Sequence, residues 1–181
     1  MTQSADTALT IWLTGLSSAG KSTIARSVCE HLRAQSHRVE WLDGDLIRQR
    51  LSLGLGYNRH DRDENIRRIG FVAELLVCNG VIVVVSAISP YRATRDEMRA
   101  LLPNFLEVYV NAPLALCEER DHKDIYRRAR AGELEHVTGI DDAYEPPLSA
   151  EVECRTGQET VEQSVAKVLA AVERKLGSAS I

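Results

Sequence analysis

The chain has 181 residues with a formal net charge of −4 at pH 7, and 44% of its residues are hydrophobic and 27% charged. These values predict one globular domain over residues 1–181, with frayed ends at about 1–8 and 177–181. The acidic balance and the short apolar runs argue against a broad basic surface and a membrane-spanning segment, so we expect no nucleic-acid partner, no membrane partner and a cytoplasmic location.

Predicted strands and helices alternate along the chain. The first are a strand at Leu9–Thr14, a helix at Lys21–Ala34, a strand at Arg38–Leu42, a short helix near Leu46–Leu51 and a loop at Ser52–His60. A helix from about Arg62 to Cys78 follows, with Asp61 as its N-cap, and then come a strand at Val81–Val85, a helix near Thr94–Leu102 and a strand at Phe105–Val110. The last are a short strand at Val152–Cys154 and a helix opened by a capping box of Thr160 and Gln163. This order predicts an α/β fold with a parallel sheet and helices on both faces. Ligands of such sheets bind at the carboxyl ends of the strands.

A phosphate-binding pattern, G-x-x-x-x-G-K-[ST], occupies Gly15–Ser22 between a predicted strand and a predicted helix. The fold class is therefore predicted to be the three-layer P-loop NTPase fold. Lys21 would reach the β- and γ-phosphates of ATP, and the Ser22 hydroxyl would ligate Mg²⁺. The alternative is a glycine-rich turn with an incidental lysine. The nucleotide-binding candidates in the motif are Gly15, Ser18, Ala19, Gly20, Lys21, Ser22 and Thr23.

Charged residues also follow the other predicted strands. Asp43-Gly44-Asp45 with Arg48 could hold hydrated Mg²⁺, orient a hydroxyl group and bind an anion, although a solvated turn with a helix N-cap has the same composition. Arg62 and Asn65 share a helix face and could point into the same crevice. A proline-fixed turn at Ile88–Arg92 would present Ser89 and its final arginine to the site. No guanine-reading motif occurs, so a small-molecule kinase is favoured.

The segment from Asp121 to Asp142 is first basic and then acidic, with cations at Lys123, Arg127, Arg128 and Arg130. This pattern is typical of a mobile lid that closes over a transferring phosphoryl group. An exposed amphipathic helix would show the same pattern.

Together these residues resemble the adenylyl-sulfate kinase family from Leu9 to about Leu176. The segments that carry the resemblance are Gly15–Thr23, Leu42–Asp45 with Arg48, Asp61-Arg62 with Asn65–Arg68, Ile88–Arg92, Cys117-Glu118 with Arg120-Asp121, Ala129–Gly132, and Thr138–Asp141 with Tyr144-Glu145 and Pro147. The resemblance implies phosphorylation of the ribose 3′-hydroxyl of adenylyl sulfate by ATP and Mg²⁺, giving 3′-phosphoadenylyl sulfate in sulfate assimilation. It also implies a homodimer.

The resemblance further implies roles for single residues. Lys21, Asp43, Ser89 and Lys123 are the catalytic candidates, with Ser22 and Asp43 at the metal. Asp43 would orient or deprotonate the 3′-hydroxyl. The family names the serine matching Ser89 as a phosphorylated intermediate, but direct in-line transfer suits a P-loop kinase better. Arg120 and Thr156 would lie near the ATP adenine, and the sulfonucleotide would contact Asp45, Arg48, Tyr57, Arg62, Asn65, Ile88, Ser89, Lys123, Val137 and Ile140.

Four features depart from the family pattern. Ser18 replaces a glycine at a variable position of the phosphate-binding motif, which tolerates the change. In the lid, Asp124 replaces a glycine and His122 a proline, so the charge and flexibility of that segment could differ from those of relatives. Val137 and Tyr57 each replace a phenylalanine, which leaves one wall of the adenine pocket non-aromatic, whereas the tyrosine ring can still stack.

Two alternatives and one question stay open at this stage. The chain could be a related kinase acting on another nucleotide or phosphorylated metabolite, or a non-catalytic nucleotide-binding regulator. The four cysteines lie far apart without a Cys-x-x-Cys pair, which indicates reduced thiols and no structural zinc, and a redox-sensing disulfide is left open.

Overall fold

Five parallel strands form the centre of the structure, a computed structural model that describes residues 8–178. The strands are β1 (Thr10–Thr14), β2 (Val39–Asp43), β3 (Ile82–Ser86), β4 (Phe105–Asn111) and β5 (Val152–Arg155). They pair in the order β2-β3-β1-β4-β5, so every connection is a crossover. All five residues of β1 and of β3 are buried, as expected for strands covered on both faces.

Helices connect the strands. Those within the described residues are α1 (Lys21–Ala34), α2 (Gly44–Arg50), α3 (Arg59–Val77), α4 (Arg92–Leu101), α5 (Leu114–Arg120), α6 (Ile125–Arg130) and α7 (Val161–Ser178). The capping box predicted for α7 is present, because the Thr160 amide donates to Gln163 Oε1 at 2.9 Å and the Gln163 amide donates to Thr160 Oγ1 at 3.3 Å. None of these helices is long and apolar enough to cross a membrane.

Successive residues of a strand point to opposite faces of the sheet, which creates two apolar layers. Ile11 and Leu13 pack into the layer shared with α1 and α7, whereas Trp12 packs into the layer that contains residues of α3 and α4. The result is the predicted three-layer arrangement. The expected frayed ends at about 1–8 and 177–181 lie almost wholly outside the described residues.

The prediction for the start of α3 is wrong. The N-cap is Asn58 instead of Asp61, because the Asn58 side chain accepts the Asp61 amide at 2.9 Å. The Asp61 carboxylate is used for the amide of Gly56 at 2.8 Å and therefore holds the preceding loop. As a result, α3 begins before the predicted residue and presents Arg62 from its first turn.

Candidate active site

The phosphate loop, Gly15–Ser22, connects β1 to α1. Gly15 has a φ of 146°, and a Cβ atom there would lie 2.3 Å from the carbonyl oxygen of Val110, so only glycine fits. The Lys21 ammonium donates to the carbonyl oxygens of Gly15 at 2.9 Å and Leu16 at 2.6 Å. Burial lowers the pKa of Lys21 to about 8, more strongly than the nearby carboxylate of Asp45 raises it. The loop therefore holds a buried ammonium group that a neighbouring phosphate would stabilise in its charged form.

Asp43 joins the phosphate loop to the next strand ends. One carboxylate oxygen, Oδ2, accepts the hydroxyl groups of Ser22 and Ser86, each at 3.1 Å. The other, Oδ1, accepts the backbone amides of Asp45 at 3.0 Å and Leu46 at 3.3 Å, and so caps α2. The sequence-predicted metal residues Ser22 and Asp43 are thus in direct contact.

Ser86 is a part of this cluster that the sequence analysis missed. It is the last residue of β3, in register with Asp43 of β2, and its hydroxyl also accepts the indole N–H of Trp41 at 2.9 Å. Its position at the carboxyl end of a strand could have identified it as a site residue, but the apolar run before it predicted only a buried strand.

Two arginines and a tyrosine form the far wall of the site. The guanidinium groups of Arg48 and Arg62 lie 4.4 Å and 5.5 Å from the centre of the Tyr57 ring. Arg48 Nη1 donates to the carbonyl oxygen of Gly56 at 2.7 Å, and Arg62 Nε donates to that of Tyr57 at 2.6 Å. Burial lowers the pKa of Arg62. The loop before α3 is therefore held so that two cations flank one aromatic ring.

Asn65 contributes a polar atom without a partner. Its side chain is buried in the wall of the cavity, and its Oδ1 atom accepts no hydrogen bond within the described residues. A buried acceptor of this kind favours a ligand that supplies an N–H or O–H group.

Ser89 is buried beneath the same wall. Its hydroxyl accepts the indole N–H of Trp12 at 2.9 Å and donates only a long bond, 3.4 Å, to the carbonyl oxygen of Ala87. By contrast, Arg92 directs its Nε toward the carbonyl oxygen of Pro146 at 3.0 Å and does not line the cavity. The turn after β3 therefore presents Ser89 to the site but not the arginine expected beside it.

The lid segment, Asp121–Asp142, contains the short helix α6 and contributes Lys123, Arg128 and Val137 to the cavity wall. Lys123 forms an ion pair with Asp45, and Arg62 donates to the carbonyl oxygen of His136. Tyr126 is buried and donates to the carbonyl oxygen of Ser17 at 3.1 Å. The segment thus contacts both the phosphate loop and the arginine wall.

Arg120 and Thr156 lie together at the other end of the site. Arg120 Nη2 donates to the carbonyl oxygen of Thr156 at 2.8 Å, and the Thr156 hydroxyl donates to the carbonyl oxygen of Ala19 in the phosphate loop at 2.8 Å. These contacts place the pair beside the N-terminus of α1.

Most of these groups line one cavity of about 710 Å³. Its wall carries six Lys or Arg residues against three Asp or Glu residues, on a chain that is acidic overall. This excess of cations suits polyphosphate or sulfate groups. Sixteen of the sequence-predicted residues line the wall: Ser18, Gly20, Lys21, Ser22, Thr23, Asp45, Arg48, Tyr57, Arg62, Asn65, Ile88, Ser89, Arg120, Lys123, Val137 and Thr156.

Four sequence-predicted residues lie outside that wall. Asp43 touches it through Ser22 and Ser86, while Gly15 and Ala19 are buried within the phosphate loop. Ile140 is packed against the apolar layer of α1 and α7. The wall also includes Arg128, predicted only as a lid cation, and residues that were not predicted to bind a ligand, among them His122, His136, Thr138 and Glu159.

Comparison with known proteins finds members of one family that are similar to this chain over most of its length. The family model described as adenylylsulphate kinase matches residues 7–155. An adenylyl-sulfate kinase of Microcystis aeruginosa is 61% identical over 160 residues, covering 88% of each chain.

Two solved structures extend this comparison. The structure of the APS kinase of Mycobacterium tuberculosis in complex with AMPPNP and APS is similar with a TM-score of 0.88 and 38% identity, covering 91% of this chain and 97% of that one. A hexameric APS kinase from Thiobacillus denitrificans has a TM-score of 0.71 and 30% identity, covering 96% of this chain and 30% of its own.

Proposed function

The chain belongs to the adenylyl-sulfate kinase family, and we propose that it transfers the γ-phosphoryl group of ATP to the ribose 3′-hydroxyl of adenylyl sulfate. The products are ADP and 3′-phosphoadenylyl sulfate. One observation carries the proposal: a single cavity is lined at one end by the phosphate loop and at the other by the wall of Arg48, Tyr57 and Arg62. Two anionic nucleotides can therefore meet in it.

On the ATP side, Lys21 and the amides of the phosphate loop bind the triphosphate. The loop lies at the N-terminus of α1, whose backbone N–H groups favour anions. The family resemblance assigns Arg120 and Thr156 to the surroundings of the adenine, and the two residues contact the phosphate loop through Ala19. Lys21 keeps its proton once phosphates lie next to it and stabilises charge on the transferring group.

Mg²⁺ fits the same corner of the site. The Ser22 hydroxyl and the Asp43 carboxylate offer the oxygen donors that Mg²⁺ prefers. No group of three or more His, Cys, Asp or Glu residues within residues 8–178 could hold a metal ion, which agrees with an ion that takes its remaining ligands from water and phosphate. When bound, it would neutralise charge on the β- and γ-phosphates.

On the acceptor side, Arg48 and Arg62 pair with the phosphosulfate, and the adenine stacks on Tyr57. Asn65 Oδ1 accepts a hydrogen bond from the acceptor nucleotide. Val137 closes one wall of the pocket without an aromatic ring, and Lys123 brings a further cation from the lid segment.

Ser89 positions the acceptor in this proposal and does not carry the phosphoryl group. Its hydroxyl is buried and is fixed by the indole of Trp12. A covalent relay would require the Ser89 oxygen, held in this way, to attack the γ-phosphorus as ADP leaves and then to leave as the 3′-hydroxyl attacks the same phosphorus. Direct in-line transfer requires only that the two nucleotides be aligned.

The proposal is tested by offering γ-labelled ATP with adenylyl sulfate, adenosine monophosphate, cytidine monophosphate and a simple sugar in parallel. We expect label to enter adenylyl sulfate selectively and Lys21→Met to abolish the transfer. Selective labelling of another acceptor would show a different kinase. If the chain showed no phosphoryl transfer that Lys21→Met abolishes, it would be a nucleotide-binding regulator instead of a kinase.

The assembly and cellular context belong to the proposal as well. The sequence resemblance implies a homodimer, whereas the Thiobacillus denitrificans relative is hexameric. Light scattering coupled to size exclusion distinguishes the two. The single-domain organisation and the cytoplasmic location stay predictions from the sequence.

A further inference from the structure

We infer that Arg95 is a positioning residue of this reaction, holding the acceptor loop, Ile88–Arg92, against Glu145 just beyond the lid segment. The inference rests on the proposed function, because that loop lines the acceptor side of the cavity. Arg95 lies on α4 outside the cavity wall and was not assigned any role by the sequence.

Three separate backbone and side-chain groups accept hydrogen bonds from the Arg95 guanidinium. The side chain is only 1% exposed, and its Nε donates to Glu107 Oε1 at 2.8 Å. Its Nη1 donates to the carbonyl oxygen of Ser89 at 2.6 Å, and its Nη2 donates to the carbonyl oxygen of Glu145 at 2.7 Å. A planar fork with fixed donor directions can satisfy three acceptors at once, whereas a lysine ammonium is a compact charge.

The backbone of Ser89 needs such support. Its φ is 44°, in the left-handed region, and the next residue is Pro90. That region is unfavourable for residues other than glycine, and a residue before proline is further restricted toward extended conformations. Strained residues persist only where their surroundings over-determine them. Here Trp12 holds the Ser89 side chain and Arg95 holds its carbonyl oxygen, so both ends of the residue are fixed.

The acceptor loop is also hydrogen-bonded directly to Glu145, the second residue whose carbonyl oxygen Arg95 bonds. The Glu145 amide donates to the carbonyl oxygen of Pro90 at 2.8 Å, and the Arg92 amide donates to Glu145 Oε2 at 2.9 Å. Next to it, the Tyr144 hydroxyl contacts Thr14 Oγ1 at 3.0 Å at the end of β1. Residues 144–145, which directly follow the lid segment, are therefore held against the end of β1 and the acceptor loop. Arg95 bonds both Glu145 and that loop.

A purely structural role would not require this arrangement. A buried ion pair adds little stability over well-packed apolar side chains. In this pair Glu107 has a second partner, Arg99 Nη2 at 3.1 Å, so its carboxylate does not depend on Arg95 alone. Arg95 is the side chain that bonds the carbonyl oxygens of both Ser89 and Glu145, and its 2.6 Å bond to Ser89 is much shorter than the 3.4 Å bond that Thr14 Oγ1 donates to the same oxygen.

The test compares Arg95→Met with Arg99→Met as the matched control. Both remove an arginine of α4 that contacts Glu107, but Arg99 otherwise pairs with Glu151 and touches neither Ser89 nor Glu145. Arg95→Lys keeps the charge without the fork. If Arg95→Met does not fold, the double variant Arg95→Met with Glu107→Gln and the lysine variant take its place.

Two readouts separate positioning from stability. For Arg95→Met, or its stated replacements if needed, we expect the KM for adenylyl sulfate to rise roughly tenfold or more and the KM for ATP to stay within about twofold, since misplacing one acceptor affects only its own alignment. We also expect the amides of Arg92 and Glu145 to exchange hydrogen faster. Arg95→Lys should show intermediate values of both, and Arg99→Met should lower the melting temperature without either change.

Equal changes in the two KM values, or the same amide exchange in Arg95→Met and Arg99→Met, would overturn the inference. The amide exchange needs no substrate. If the parent protein did not phosphorylate adenylyl sulfate, the proposed function would fail, and the exchange comparison would still decide whether Arg95 holds the loop.

Discussion

ATP binding should draw a proton onto Lys21. Because burial lowers the pKa of this lysine to about 8, the free protein at pH 8 carries the proton on only part of its molecules. Bound phosphates raise the pKa again, since an opposite charge favours the ammonium form. Uptake on binding should therefore be about 0.5 proton at pH 8, about 0.9 at pH 9 and below about 0.05 at pH 6.5.

Isothermal titration calorimetry measures this uptake directly. A non-hydrolysable ATP analogue is titrated at each pH in two buffers with different enthalpies of ionisation, and the difference in observed enthalpy gives the number of protons. Lys21→Arg should lose the uptake, because a guanidinium stays protonated throughout. Lys123→Arg, the same exchange at a half-exposed lysine of the lid segment, should retain it. Equal uptake at pH 6.5 and 8, or uptake that persists in Lys21→Arg, would refute the reasoning.

The same pKa shift has a consequence for stability without ATP. Below pH 8 the lysine is charged in both the folded and the unfolded chain, and the folded chain bears the full penalty of burying that charge. Between pH 8 and 10.5 the unfolded chain binds more protons, so the contribution of Lys21 to the free energy of unfolding rises with pH, by about 3 kcal/mol over that window. Comparing urea unfolding of the parent and of Lys21→Met across this range isolates the contribution, which should vanish in the variant.

Substitutions at three further residues test the other roles. Asp43→Asn should lower kcat by roughly a hundredfold or more while the melting temperature changes little, because asparagine still caps α2 but carries no charge; steady-state kinetics and thermal melting measure the two effects. Ser89→Ala should retain measurable turnover, and acid-quenched parent enzyme should carry no phosphoserine by mass spectrometry, whereas a trapped phosphoserine would support the covalent relay. Tyr57→Ala should raise the KM for adenylyl sulfate roughly threefold to tenfold through lost stacking, and Tyr57→Phe should leave it nearly unchanged.

Much of the site was predictable because of where polar residues follow buried strands. The β-branched run of β3 and the glycine-lysine pattern after β1 depend on neighbours in sequence, so local reasoning finds them. Parallel strands bring their carboxyl ends to one edge, and this geometric rule alone predicted that Asp43 and Lys21 would be close. The structure places Ser22, next to that lysine, 3.1 Å from the Asp43 carboxylate.

The missed residues depend on contacts between distant parts of the chain. Arg95 and Glu107 lie in an amphipathic helix and in a strand, where a charged residue is usually exposed, and only the packing of α4 buries them together. Trp12 and Trp41 lie within two of the predicted strands, and the sequence indicated no partner for either indole N–H group. Their N–H partners, Ser89 and Ser86, follow or end a different strand, and no local pattern identifies such a pair.

The contacts of Asp43 also bear on which of its two proposed roles is favoured. Oδ1 holds the first turn of α2, the helix that carries Asp45 and Arg48, while Oδ2 holds Ser22 and Ser86. In all of these contacts the carboxylate acts as an acceptor. Taking a proton from the 3′-hydroxyl would disrupt this set and weaken the link between the phosphate loop and the acceptor wall. Orientation of the hydroxyl and the metal preserves the link, so the geometry favours positioning over proton abstraction as the contribution of Asp43.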